Sequence, residues 1–220
     1  MARRNARRDE GRALGRRDSF REPLPVILVV CEGEVTEREY INGFRLAHGA
    51  TTVRVHLVSP RGDPKALVKQ AVALREAASA QARRTEDENE AYDEVWCVYD
   101  VDKHARLPEA QQIATKNDIN LAVSEPCFEL WLLLHFADQT GNLSTKQARD
   151  RLRGHLPGYD KHLRFENVAE GYTNAVRRAK MLDKRWEEIG EPGGNPSTGV
   201  HRLTERIRMF GKSARLKRTR

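Results

Sequence analysis

The sequence predicts an α/β protein, a three-layer sandwich with a central, mainly parallel sheet and a helical C-terminal extension. Three observations carry that expectation. Four apolar runs of strand length alternate with segments of helical periodicity over residues 25–136. Two of those runs end in acidic clusters: Val26-Ile27-Leu28-Val29-Val30-Cys31 leads into Glu32-Gly33-Glu34, and Val95-Trp96-Cys97-Val98-Tyr99 leads into Asp100-Val101-Asp102. Beyond residue 140 the pattern is helical only. Strands separated by helices imply parallel pairing with right-handed crossovers. The carboxyl ends of such strands form the rim where α/β folds keep their chemistry.

The elements follow in order. Residues 1–24 read as a basic arm. The first strand spans about 25–31. A helix over 36–47 follows, with Thr36 as N-cap and Glu39 three residues on, the spacing of a capping box. The second strand is 53–58, and Ser59-Pro60-Arg61-Gly62-Asp63-Pro64 is turn chemistry. Asp63 before Pro64 suits the start of a long helix to about Arg84, with Leu67, Ala71, Leu74 and Ala78 along one side. Polar residues 84–91 read as a loop. A third strand at 94–99, a helix at 107–116 and a fourth strand at 119–123 complete the alternation. Phe128–Phe136 is apolar enough to be a buried helix. Helices are expected at about 145–154, 170–189 and 199–210, with the Gly- and Pro-rich stretch 190–199 as the clearest break. The domains expected are the arm, an α/β core over 25–140, a helical extension over 141–210 packing on that core, and a basic tail over 211–220.

At 220 residues the chain is long enough for one full α/β core. Its net charge of +7 is unevenly spread. Residues 1–22 hold eight Arg against four acids, and residues 208–220 hold six Lys or Arg and no acid, which leaves a slightly acidic body. Basic ends attract phosphate backbones; equally, they read as solvated termini. Cys31, Cys97 and Cys127 form no C-x-x-C pair, so a zinc site or disulfide framework is not expected and buried thiols are. No apolar run is long enough to span a bilayer. The Arg-rich start is followed by no signal-type apolar stretch, and its acids Asp9, Glu10 and Asp18 argue against a transit peptide. A soluble, cytoplasmic protein without membrane contact is expected.

The chemistry centres on Glu32, Asp100 and Asp102. Carboxylates converging at strand ends repel one another unless a cation lies between them, and Mg²⁺ or Mn²⁺ is the expected ion: a hard cation taking one or two carboxylates, waters and substrate phosphate. Glu32 reads as a metal ligand or as a general acid/base. Strand ends also carry solvated acids of no function, and a lone D-x-D is weakly specific; the matched E-G-E favours the functional reading. Glu129 near the start of the buried helix reads equally as a site residue or as a paired buried acid. His135 reads better as a residue capping carbonyls. Asn195, Ser197, Thr198 and His201 form a second polar cluster, either a helix cap or a phosphate site with His201 as proton shuttle. Arg61, Lys65, Lys103 and Ser124 complete the candidate substrate contacts, each also readable as an ordinary polar residue. Trp96, Trp131 and Trp186 read as packing residues. No G-x-x-x-x-G-K-[ST] loop is present, which disfavours P-loop nucleotide binding.

Glu32 with Asp100-Val101-Asp102 resembles a Toprim-type site. More narrowly, Cys31-Glu32-Gly33-Glu34-x-Thr36-Glu37, the run from Ser124-Glu125-Pro126-Cys127-Phe128-Glu129 to Phe136, and Asn195-Pro196-Ser197-Thr198-x-Val200-His201 resemble the RloB-like, or AbiLii-type abortive-infection, family. The resemblance covers nearly the whole chain from Arg3 to about Phe210. Glu125 departs from it, standing where Asn is expected; a carboxylate there would add a metal ligand or weaken phosphate binding. The resemblance implies a Toprim-like fold and a metal-dependent endonuclease of antiviral defence, acting on RNA, transfer RNA among the candidates, or on DNA. It also implies a companion ATPase of ATP-binding-cassette or OLD type encoded nearby, and a homo-oligomer is compatible with it. The rival expectation is a non-catalytic adaptor that keeps the fold and binds nucleic acid or its partner.

Overall fold

The computed structural model describes residues 25–33, 35–57, 63–101 and 107–218. The basic arm over 1–24 and the last two residues of the tail lie outside the described residues. The chain is α/β, and its elements arrange as three layers. Five strands form one sheet in the order β2-β1-β3-β4-β5: β1 is Ile27–Cys31, β2 Val53–Leu57, β3 Glu94–Asp100, β4 Asn120–Glu125 and β5 Ser197–Thr198. The first four run parallel, and β5 pairs antiparallel with β4 through Ser124 opposite Thr198 and Glu125 opposite Ser197.

The sheet's two faces carry separate cores. Alternate residues of a strand point to opposite faces. Ile27, Val29 and Cys31 of β1, with Trp96 and Val98 of β3, enter one cluster. Leu28 and Val30, with Val95, Cys97 and Tyr99, enter the other. Over the first face lie α1 (Thr36–Ala47), the short α4 (Glu129–Leu133), α5 (Thr145–His155), α6 (Tyr172–Glu188) and α7 (Val200–Arg218). Over the second lie α2 (Pro64–Thr85) and α3 (Leu107–Lys116). Strands buried on both faces must be apolar throughout, which is why β1 reads ILVVC and is buried at every position.

The connection β1-α1-β2 leaves β1 toward one edge of the sheet over the first face. The connection β2-α2-β3 returns over the second face to the other side of β1. The strand order therefore reverses between β1 and β3, and a crevice must open outside their carboxyl ends.

Several local expectations meet a different outcome. Thr36 and Glu39 do not close a capping box: the N-cap position of α1 is Val35, with no side-chain cap bond. The Thr36 hydroxyl instead donates to the Lys161 carbonyl at 2.6 Å. The Glu39 carboxylate accepts from Leu163 N at 2.5 Å and meets His162 Nδ1 at 2.9 Å. Tertiary partners win because they satisfy donors of a loop that would otherwise be buried or unpaired. Asp63 does cap α2, accepting from Lys65 N at 3.0 Å. The loop after α2 contains a single 3₁₀ turn, Glu88–Glu90. The expected helix over 128–136 is regular only for Glu129–Leu133. α7 continues to Arg218, into the segment expected to be tail. β5, two residues long, has no sequence pattern a strand of that length could show.

The three cysteines are buried and unbridged. Burial pushes the thiols of Cys31 and Cys97 up, the latter to about 12, so neither is a thiolate at neutral pH. All three tryptophans are at most 9 % exposed. Among the described residues no helix is long and apolar enough to cross a membrane.

Candidate functional site

A cleft of about 310 Å³ lies at the reversal point between β1 and β3, lined by Glu32, Gly33, Thr36, Glu37, Asp100, Phe128, Glu129, Arg149 and Lys161 among others. Four of these are carboxylates. Glu32 directly follows β1, and its N–H donates to the Val98 carbonyl of β3 at 3.1 Å, which ties the two strand ends together. Asp100 is the last residue of β3 and lies opposite Ser124 of β4. Asp102, Lys103, Arg61 and Glu34 lie outside the described residues.

Glu129 enters the cleft from the first turn of α4, with its side chain 5 % exposed. Arg149 of α5 balances it, Nε to Oε1 at 2.8 Å. A buried acid is tolerated when paired and hydrogen-bonded, and Glu129 is such an ion-paired acid as well as a lining residue of the cleft. Tyr159 Oη donates weakly to the same oxygen at 3.5 Å and shares a 3.0 Å hydrogen bond with the Thr36 hydroxyl.

Glu37 is the site residue that sequence reasoning passed over. It lies in the first turn of α1 and lines the cleft. Burial, and then the negative charges of Glu129 and Glu32, push its carboxyl up from 4.5 to about 7, against the opposing pull of a backbone hydrogen bond and of Lys161. Gly33 makes room for it. A Cβ at position 33 would meet the end of the Glu37 side chain and displace its carboxylate from this position. The available signal was the third acid of Glu32-Gly33-Glu34-x-Thr36-Glu37, which helical geometry returns toward the strand end. Arg149 and Lys161 carried no sequence signal, since they come from a helix and a loop remote in the chain.

The other candidates are placed elsewhere. Lys65 pairs with Glu109 of α3. Asn195 holds the backbone of Leu143 through 2.9 and 2.8 Å hydrogen bonds and donates to Glu125 at 3.1 Å. Ser124 and Thr198 bond one another at 2.9 Å in a fully buried position. Ser197 is buried in β5 beside Glu125. His201, 3 % exposed, has Nδ1 2.9 Å from the Thr198 carbonyl and Nε2 3.4 Å from Asp183. None of these residues lines the cleft. His135 directs Nδ1 to the Trp131 carbonyl at 2.9 Å and Nε2 to Tyr40 Oη at 3.2 Å, and burial lowers it to about 4.

The donor set of the cleft is oxygen, from Glu32, Asp100, Glu37 and Glu129, with no Cys or His among the lining residues. That chemistry suits a hard divalent cation and not a soft one. Among the described residues no three acidic, His or Cys side chains are gathered at ligating spacing. Of the described carboxylates, one or two at a time could meet such an ion, with Asp102 outside the described residues.

No curated protein and no solved structure matches the chain. A family model described as RloB-like protein matches residues 27–207, the span that contains every described strand, the cleft and the first eight residues of α7. The chain belongs to the RloB-like family.

Proposed function

We propose that the cleft is the active centre of a Mg²⁺- or Mn²⁺-dependent nuclease that cleaves phosphodiesters of RNA or DNA, its acids disposed as in a Toprim-type site. The observation that supports this reading best is the convergence of Glu32 and Asp100, from two different strand ends, in one cleft at the reversal point of a parallel sheet. Glu32, Asp100 and, from the sequence, Asp102 would hold the ion. When bound, such an ion polarises a phosphoryl oxygen and lowers the pKa of its water. Glu37, buried beside Glu32, is the group in the cleft that holds a proton near neutrality, as a general acid toward a leaving oxygen requires. Arg149 holds the Glu129 side chain in place through their 2.8 Å ion pair. The family resemblance adds an antiviral, abortive-infection role with a companion ATPase that restrains the nuclease. Toxicity of the isolated chain that is indifferent to the ATPase would refute that restraint.

The test is incubation of purified protein with Mg²⁺ or Mn²⁺ and total RNA, transfer RNA, single-stranded DNA or duplex DNA, with Asp100→Asn in parallel. Wild type should cleave one polymer. The variant should fold equally well and lose about 10²–10⁴-fold in rate, the scale of removing a group essential to proton transfer or ion binding. A non-catalytic adaptor that keeps the fold and binds nucleic acid or its partner is the second reading. It predicts that both proteins bind nucleic acid alike and that neither cleaves.

A further inference from the structure

Among the described residues two cations line the cleft, and they are differently engaged. Arg149 is committed to Glu129 at 2.8 Å. Lys161 lines the same cleft from the loop after α5 and, among the described residues, forms no ion pair, although its charge reaches Glu37. Its backbone is unusual: φ is +86°, in the left-handed region that side-chain-bearing residues rarely adopt. Such strain persists only where the surroundings over-determine it.

Those surroundings are explicit. Thr36 Oγ1 donates to the Lys161 carbonyl at 2.6 Å, Tyr159 Oη meets the same hydroxyl at 3.0 Å, and Glu39 receives Leu163 N at 2.5 Å and His162 Nδ1 at 2.9 Å. Residues on both sides of Lys161 are thus fastened to the first turn of α1, the turn that also presents Glu37. An asparagine or glycine would take this backbone at less cost; a lysine there gives the loop an ammonium group at the mouth of an acid-lined cleft.

We infer that Lys161, latched to α1 through Thr36 and Glu39, is the substrate-binding cation of the cleft and engages a phosphodiester oxygen of the strand to be cut. The inference rests on the nuclease reading for its substrate class, but its test is a binding measurement separate from cleavage. A lysine acts on phosphate as a point charge, so the contact is independent of base and of sugar.

Labelled single-stranded RNA and DNA of one sequence are titrated with full-length protein in Ca²⁺ over a range of salt. Lys161→Ala should weaken both and make the slope of log K against log salt shallower by about 0.7, the value for one phosphate contact on a single strand. Lys161→Arg should restore the slope. Lys161→Gly should lose the same contact yet melt higher than Lys161→Ala by about 3 °C, because glycine relieves the left-handed backbone. Glu39→Ala should weaken binding on its own and add nothing to Lys161→Ala. Unchanged slopes in Lys161→Ala overturn the inference even if wild type cleaves, and absence of any binding by wild type overturns it as well. Loss of slope without metal-dependent cleavage by wild type would leave Lys161 a phosphate contact and remove the nuclease reading instead. A Lys161→Gly protein less stable than Lys161→Ala would overturn the latch.

Discussion

Two polar clusters flank the end of β4 and look alike in the sequence, yet the fold treats them in opposite ways. In the Asn195–His201 segment three of the four candidate side chains are bonded internally: Asn195 to Leu143 and Glu125, Thr198 to Ser124, His201 to Thr198 and Asp183. In the cleft, four carboxylates and two cations share one space among the described residues, and burial, then repulsion from Glu129 and Glu32, raises the Glu37 carboxyl to about 7. Saturated hydrogen bonding marks polar residues that hold a fold together. Unbalanced charge in a concave space marks residues kept for a ligand. Residue type does not separate the two; location does, one group lining a cleft and the other packed between β4 and β5.

The sharpest way to break this contrast is to strip the cleft of its internal pairing. Arg149→Ala leaves Glu129, 5 % exposed, without its counter-ion. Removing one partner of a buried pair costs about 3–5 kcal/mol. The lower figure is expected here because the Arg149 side chain is itself 36 % exposed. Urea unfolding at pH 7 measures it. A loss below about 0.5 kcal/mol would mean the pair behaves as a surface bridge, and the cleft would be wetter than its geometry implies.

Glu37 offers a test with a defined pH window. Its folded value, about 7, lies above the 4.5 of an ordinary carboxyl, so between those values the folded state holds a proton that the unfolded state has released. Stability contributed by this group is therefore fully present below pH 4.5, falls as pH rises toward 7 and is flat beyond. Glu37→Gln removes that dependence. In EDTA, the variant should gain on wild type by about 2–3 kcal/mol between pH 4.5 and pH 8. A constant difference across that range would place the Glu37 carboxyl in water. A divalent ion should shrink the gain, since it rewards the ionised form in wild type only.

The parts of the molecule legible in the sequence are those set by local pattern. The alternation of apolar runs with helical periodicity located four of the five described strands. Asp63-Pro64 fixed the start of α2, and E-G-E with Asp100 pointed to the rim where the cleft lies. What escaped depended on partners distant in the chain. Thr36 and Glu39 have capping-box spacing, but their oxygens serve a loop more than 120 residues away. Glu37 looked like any acid in a helix's first turn until Gly33, Glu32 and Glu129 closed around it. Lys161 is an ordinary surface lysine by composition, and only its +86° φ and its fastened neighbours single it out. Asn195, Thr198 and His201 form a motif dense in reactive residue types, and the structure adds what the sequence could not show, their hydrogen bonds joining β4, β5 and the residues before α5.

That motif gives the smallest of the expected effects and completes the contrast. Asn195→Ala abandons the N–H and carbonyl of Leu143, a residue 2 % exposed, and one donor to Glu125. Buried backbone groups left unpaired cost about 1–3 kcal/mol, so a loss of about 2 kcal/mol in urea unfolding is expected. Nucleic-acid affinity and any cleavage rate, measured well below the variant's melting temperature, should stay at wild-type values because no Asn195 atom lines the cleft. If affinity or rate falls instead while the protein remains folded, the second cluster belongs to the substrate after all. Location would then fail as the criterion separating the two regions.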